Sequence, residues 1–124
     1  HRSAIRAWIH HCVAHEGAQI GSLRFLFCDD TYMLDANRQF LDHDYLTDIL
    51  TLPDHSAKGT CGDILISIDR TRDNAKTLKH SPLDELHRVI SHGVLHLLGF
   101  DDHAQSDQRT MRSKEDHWLT QRTF

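Results

Sequence analysis

His92 and His96 stand four residues apart in the apolar stretch His92-Gly93-Val94-Leu95-His96-Leu97-Leu98-Gly99-Phe100, and Asp101, Asp102 and His103 follow at once. Positions four apart lie one above the other on a helix face, so both imidazoles can be aimed at one metal ion. Gly99 suits the left-handed turn that ends a helix and brings the next residues back toward that face. Two His with one carboxylate or third His, and an open fourth position, describe a catalytic rather than a structural zinc site. Counting from Gly99 puts the third donor at Asp102, with His103 the alternative one place on. Zinc takes carboxylate oxygen and imidazole nitrogen alike, so only the spacing favours Asp102. Hydrogen-bonded core histidines are the competing reading, but they would not account for the glycine stop and the ligand cluster behind it.

The spacing is similar to the metzincin arrangement, whose third ligand falls three residues after the glycine. A zinc peptidase carries a general-base Glu directly after the first His. Here that place is Gly93. A glycine inside a helix costs about 1 kcal/mol relative to alanine, so it marks the close approach of a backbone or a ligand. A peptidase is therefore disfavoured.

The segment resembles the signature of the YbeY endoribonucleases, or rRNA maturation factors: His-Gly-x-Leu-His-Leu-x-Gly-[Tyr/Phe]-Asp-His. Thr47-Asp48-Ile49-Leu50-Thr51-Leu52-Pro53 and Gly62-Asp63-Ile64-Leu65-Ile66-Ser67-Ile68 are similar to two strands of that family, in the same order and spacing. The likeness spans roughly residues 20 to 120. It implies a zinc-dependent endoribonuclease acting on single-stranded rRNA, in 16S rRNA 3′-end maturation and ribosome quality control, with one Zn2+ ion and the small ribosomal subunit as partner. The chain departs from the pattern twice. Asp102 stands where most members have His, and Leu41 stands where the family has an arginine ahead of the Thr-Asp strand. Arg38, one helical turn before Leu41, is the residue expected to take over the phosphate contact. Asp101 either orients a ligand His through its second ring nitrogen or caps the turn.

Other chemistry-bearing residues carry less. His11 and His15 form a second pair at the same spacing, with Cys12 and Glu16 nearby, but no third ligand returns to them. His87 is off the stripe of His92 and reads as structural or solvent-facing. Arg70, Arg72, Lys76 and Lys79 form a basic run in which Arg72, Lys76 and Lys79 share a helix face, either a solvated surface or an RNA-phosphate track.

The positioning elements follow from pattern. Ala4 to Glu16 reads as a helix stopped by Gly17, and 22–28 as a strand. Asp30 or Thr31 caps a helix through about Phe40, burying Tyr32, Met33, Ala36 and Phe40. Strands are expected at 48–52 and 63–68, with a loop at 53–59. Asp69 opens a polar helix through about Lys79. Ser81 caps the metal helix, with Pro82 in its first turn and Asp84 and Glu85 after it. Ser106 caps a last helix through about Leu119. Strands separated by helices give an α/β (α+β) fold: a small mixed, mostly parallel sheet packed by helices, with the metal helix central and its ligand end facing a cleft beside strand 63–68.

The chain has 124 residues, expected to form a single domain over 1–124, and its start at His1 is expected to lack a few native residues. A net charge of −4 argues against broad nucleic-acid binding, so RNA would meet a local basic patch and DNA is not expected. The three cysteines are widely spaced, as reduced thiols of a cytoplasmic protein would be. No apolar run approaches the ~20 residues that span a bilayer. A metal-stabilised ribosome-assembly factor with little nuclease activity is the alternative to the enzyme, favoured by the weak basic character and the missing arginine.

Overall fold

The computed structural model describes residues 2–43 and 46–124, so His1, which carried no motif, lies outside the described residues. The elements are α1 (Arg2–His15), β1 (Ile20–Cys28), α2 (Asp30–Leu41), β2 (Ile49–Pro53), β3 (Thr60–Ser67), α3 (Ile68–Leu78), α4 (Pro82–Leu97) and α5 (Gln105–Thr120). Together they make an α+β fold.

The sheet has three strands in the order β1-β3-β2. β1 pairs with β3 in parallel, Phe25 opposite Ile64, and β2 pairs with β3 antiparallel, Leu50 opposite Leu65. The sheet is thus mixed, with one pair of each kind rather than mostly parallel. Residues 54–59 link β2 directly to β3, too short a link for the crossover a parallel pair needs. The central strand β3 is buried along most of its length, as a strand covered on both faces is, with the apolar run Ile64-Leu65-Ile66 at its centre.

Successive side chains of β3 point to opposite faces. Ile64 and Ile66 join Trp8, Val13, Val94, Leu95, Met111 and Trp118 in the larger core, under α1, α4 and α5. Leu65 joins Cys28, Met33, Ala36 and Leu50 under α2 on the other face. That second cluster is narrow, and it leaves two of the expected core residues of α2 outside. Met33, Ala36 and Asn37 are the buried residues of α2, whereas Tyr32 and Phe40 are 53% and 54% exposed. The three-stranded sheet offers α2 one stripe of contact, and Tyr32 and Phe40 fall outside it.

Caps account for the shifted helix starts. The side chain of Asp29, not of Asp30 or Thr31, accepts from Tyr32 N at 2.8 Å. Ser67 Oγ accepts from Arg70 N at 3.1 Å, so α3 starts at Ile68 and Asp69 lies inside its first turn. α5 begins at Gln105, with Ala104 at the cap position and no side-chain cap, so Ser106 is not the cap. Ser81 caps α4 as expected, accepting from Asp84 N at 3.0 Å.

Candidate metal centre

The end of α4 builds the turn that the site depends on. Gly99 has φ +103, Phe100 N donates to Leu95 O at 3.0 Å, and Gly99 N to His96 O at 3.0 Å. This paired closure of the last carbonyls is the Schellman motif, and it needs a residue free to enter the left-handed region. The chain reverses there and returns Asp102 to the His face.

Three donor atoms converge. His92 Nε2 and His96 Nε2 are 3.0 Å apart, and Asp102 Oδ2 is 3.3 Å from each. Four ligands at zinc's bond length of about 2.0–2.1 Å form a tetrahedron whose edges are about 3.3 Å. The triangle therefore fits one face of that tetrahedron. All three residues are partly buried. The His103 imidazole turns outward, 88% exposed at its side chain, with Nε2 3.4 Å from Asp101 Oδ1.

Asp101 acts on the turn itself, where its Oδ1 accepts from Asp102 N at 2.8 Å. The carboxylate on the second ring nitrogen of His92 belongs to Glu115 instead, with Oε2 2.7 Å from Nδ1. Burial pulls the His92 imidazolium down, but the Glu115 hydrogen bond and the charges of Glu115, Asp102 and Asp48 outweigh it, so its pKa is raised. Asp48, just ahead of β2, is the sheet-side neighbour. Burial pushes its carboxyl up, against the opposing pull of His92 and of hydrogen bonds that include Asn74 Nδ2 at 3.2 Å.

Gly93 sits where α4 crosses the sheet. A Cβ there would lie 2.6 Å from Ile49 Cδ1 and 2.9 Å from Ile64 Cγ2. The approach that the glycine implied is thus made by two side chains of the sheet. No base can stand at this position without displacing them.

The remaining candidates are dispersed. Arg38 is exposed in the last turn of α2, on the helix that covers the opposite sheet face from α4. Arg70 is engaged by Asp30 at 3.1 Å and Asp73 at 2.6 Å, while Arg72, Lys76 and Lys79 are exposed. Lys79 caps α3 in the left-handed conformation, φ 57, and so leaves the face shared by Arg72 and Lys76. His87 is buried, its ring 5.7 Å from Trp8 and 5.4 Å from Phe124, and its Nδ1 accepts from Arg122 Nη1 at 2.8 Å. Its role is packing. The rings of His11 and His15 lie 4.2 Å apart and tilted to each other, with His11 hydrogen-bonded to Gln121 and His15 to the His11 carbonyl. Cys12, Cys28 and Cys61 are buried and unbridged, the Cys12 thiol pushed up to about 11 by burial first and Glu16 second. A groove of about 670 Å³ runs between α1 and the edge strand β1, lined by Ile5, Ile9, Leu23, Phe25 and Phe27 among others, and no residue of the triad lines it.

A family model described as Endoribonuclease YbeY matches residues 1–123. The chain belongs to the YbeY family. The match is wider than the likeness read from the motifs, because it takes in α1 as well. Among curated YbeY endoribonucleases, that of Cytophaga hutchinsonii is 49% identical over 99% of this chain and 87% of its own length. That of Porphyromonas gingivalis is 46% identical over 95% of this chain and 78% of its own. The solution structure of TM1509 from Thermotoga maritima shares the fold, with a TM-score of 0.70 at 22% identity over 96% of this chain and 79% of that one.

Glu115, absent from the sequence expectations, is the buried carboxylate that meets the triad. It lies on a polar helix, and only the reversal at Gly99 and the packing of α5 on α4 bring it to His92. No motif spacing marks it.

Proposed function

We propose that this protein is a zinc-dependent endoribonuclease with His92, His96 and Asp102 as the metal ligands, acting on single-stranded rRNA in small-subunit 3′-end maturation and ribosome quality control in the cytoplasm. The observation that carries the reading is the donor triangle, whose edges of 3.0, 3.3 and 3.3 Å suit one face of a tetrahedral site and leave the fourth position open. The substrate class comes from the relatives' name, endoribonuclease. When bound, the metal supplies Lewis acidity to a phosphoryl oxygen and a lowered pKa for water.

The chain's own residues supply the rest. His92 and His96 present Nε2 lone pairs from one helix face, and Asp102 adds a negative charge that offsets part of the cation's. Ile49 and Ile64 fill the space beside Gly93, which excludes the peptidase base. Asn74 links α3 to Asp48 beside His92, and the exposed Arg72 and Lys76 of the same helix offer cations to phosphate. Among the described residues, no helix is long and apolar enough to cross a membrane. The test is cleavage of single-stranded RNA by purified protein, its loss with a chelator and its return with zinc.

A further inference from the structure

We propose that Glu115, anchored by Arg88, is a positioning residue of the metal centre: it holds His92 in the tautomer that carries its proton on Nδ1 and so aims the Nε2 lone pair at the metal. The inference rests on the reading of His92, His96 and Asp102 as ligands. Glu115 is only 5% exposed, and each of its oxygens has its own donor. Oε2 stands 2.7 Å from His92 Nδ1, and Oε1 accepts from Arg88 Nη1 at 3.0 Å. Arg88 Nη2 reaches on to Asp116 at 2.7 Å, toward solvent.

The chemistry follows from donor counting. An ionised carboxylate can only accept, so the proton of the 2.7 Å contact belongs to His92 Nδ1. A neutral imidazole protonated there has its lone pair on Nε2, the atom that faces His96 and Asp102. Arg88 can only donate, and its charge offsets the cost of burying the Glu115 carboxylate. α5 has other packing to hold it on α4, through Met111 and Trp118 in the larger core. The Arg88–Glu115–His92 chain is therefore separable from the packing of the two helices.

The separating experiment uses Glu115→Gln and the double variant Arg88→Met/Glu115→Gln, with cobalt(II) as the probe metal. Glutamine offers one oxygen and one NH2 group where glutamate has two acceptors. With Arg88 present, the amide oxygen turns to the guanidinium and the NH2 faces His92 Nδ1. The ring then takes the other tautomer, with its proton on Nε2. Removing Arg88 lets the oxygen return to His92. Chelator competition should show cobalt affinity falling about 10–100-fold in Glu115→Gln, the usual cost of losing such a partner. The double variant should recover most of that loss and the wild-type cobalt absorption band.

Glu115→Gln binding cobalt as tightly as wild type would overturn the proposal, as would a double variant that binds no better than the single one. A wild type that binds no cobalt would overturn the ligand assignment and this inference with it. Nitrogen-15 NMR of the metal-free wild type, at a pH where the His92 ring is neutral, gives a reading that needs no variant: the ring proton should sit on Nδ1, and a proton on Nε2 would overturn the proposal.

Discussion

Asp102 Oδ2 stands 3.3 Å from His96 Nε2, across the chain reversal at Gly99. The turn, more than the helix, completes the triad, because two His on one face would leave zinc two ligands short of a tetrahedron. His96→Ala should therefore abolish stoichiometric zinc, measured by elemental analysis of protein purified without a His tag. Asp102→Ala should cost more affinity than His103→Ala, whose ring points outward. Full occupancy in His96→Ala, or the reverse order for the other two, would reassign the ligands.

A side chain at position 93 should press on the sheet. Its Cβ position is 2.6 Å from Ile49 Cδ1 and 2.9 Å from Ile64 Cγ2, and overpacking of this kind costs about 1–3 kcal/mol. Better helix propensity returns about 1 kcal/mol to alanine. Urea melts of Gly93→Ala should show a net loss of up to about 2 kcal/mol, relieved in part by Ile64→Val. A more stable Gly93→Ala would show that the helix does not press on the sheet there.

Charge reversal at Arg72 and Lys76 should weaken RNA binding across sequences alike. It should also flatten the salt slope by about 1–2 units, since binding releases about one fewer counterion for each phosphate no longer neutralised. Lys79, turned off the helix in its left-handed cap, should contribute less than either. Filter binding over a salt series reads both effects. Unchanged slopes would leave α3 a plain solvated surface.

The legible parts of this protein were those with local causes. His92, His96 and Gly99 announce their geometry through spacing and backbone freedom alone, and Ser81-Pro82 marks the start of α4 as clearly. Misreadings arose where a partner element decides. Tyr32 and Phe40 look like core residues until the narrowness of the sheet under α2 is known. Ser67 and Asp69 both suit a cap, and the strand's end selected Ser67. Glu115 was illegible because its partner, His92, is distant in sequence and meets it only through tertiary packing.

His87 makes the fold sensitive to acid. Free imidazole titrates near 6.5, and burial first, then the Arg122 charge, lower this residue's value despite the pull of Asp84. As pH falls below 6.5, the unfolded chain takes up a proton that the folded chain refuses. The contribution of His87 to stability is therefore complete above that value and is lost as pH drops through the lowered one. His92, raised instead, acts with the opposite sign in metal-free protein, so the comparison must isolate His87. Urea midpoints should fall more steeply toward acid in wild type than in His87→Leu. Parallel curves would refute the assignment.

RNA cleavage by metal-stripped and zinc-restored protein tests most directly whether the triad makes this protein a metal-dependent nuclease. Wild type should cut single-stranded RNA slowly, stop with chelator and resume with zinc, while peptide substrates stay intact because position 93 has no base. His92→Ala should stay inactive after zinc is restored. Cleavage that survives both chelation and His92→Ala would contradict the account.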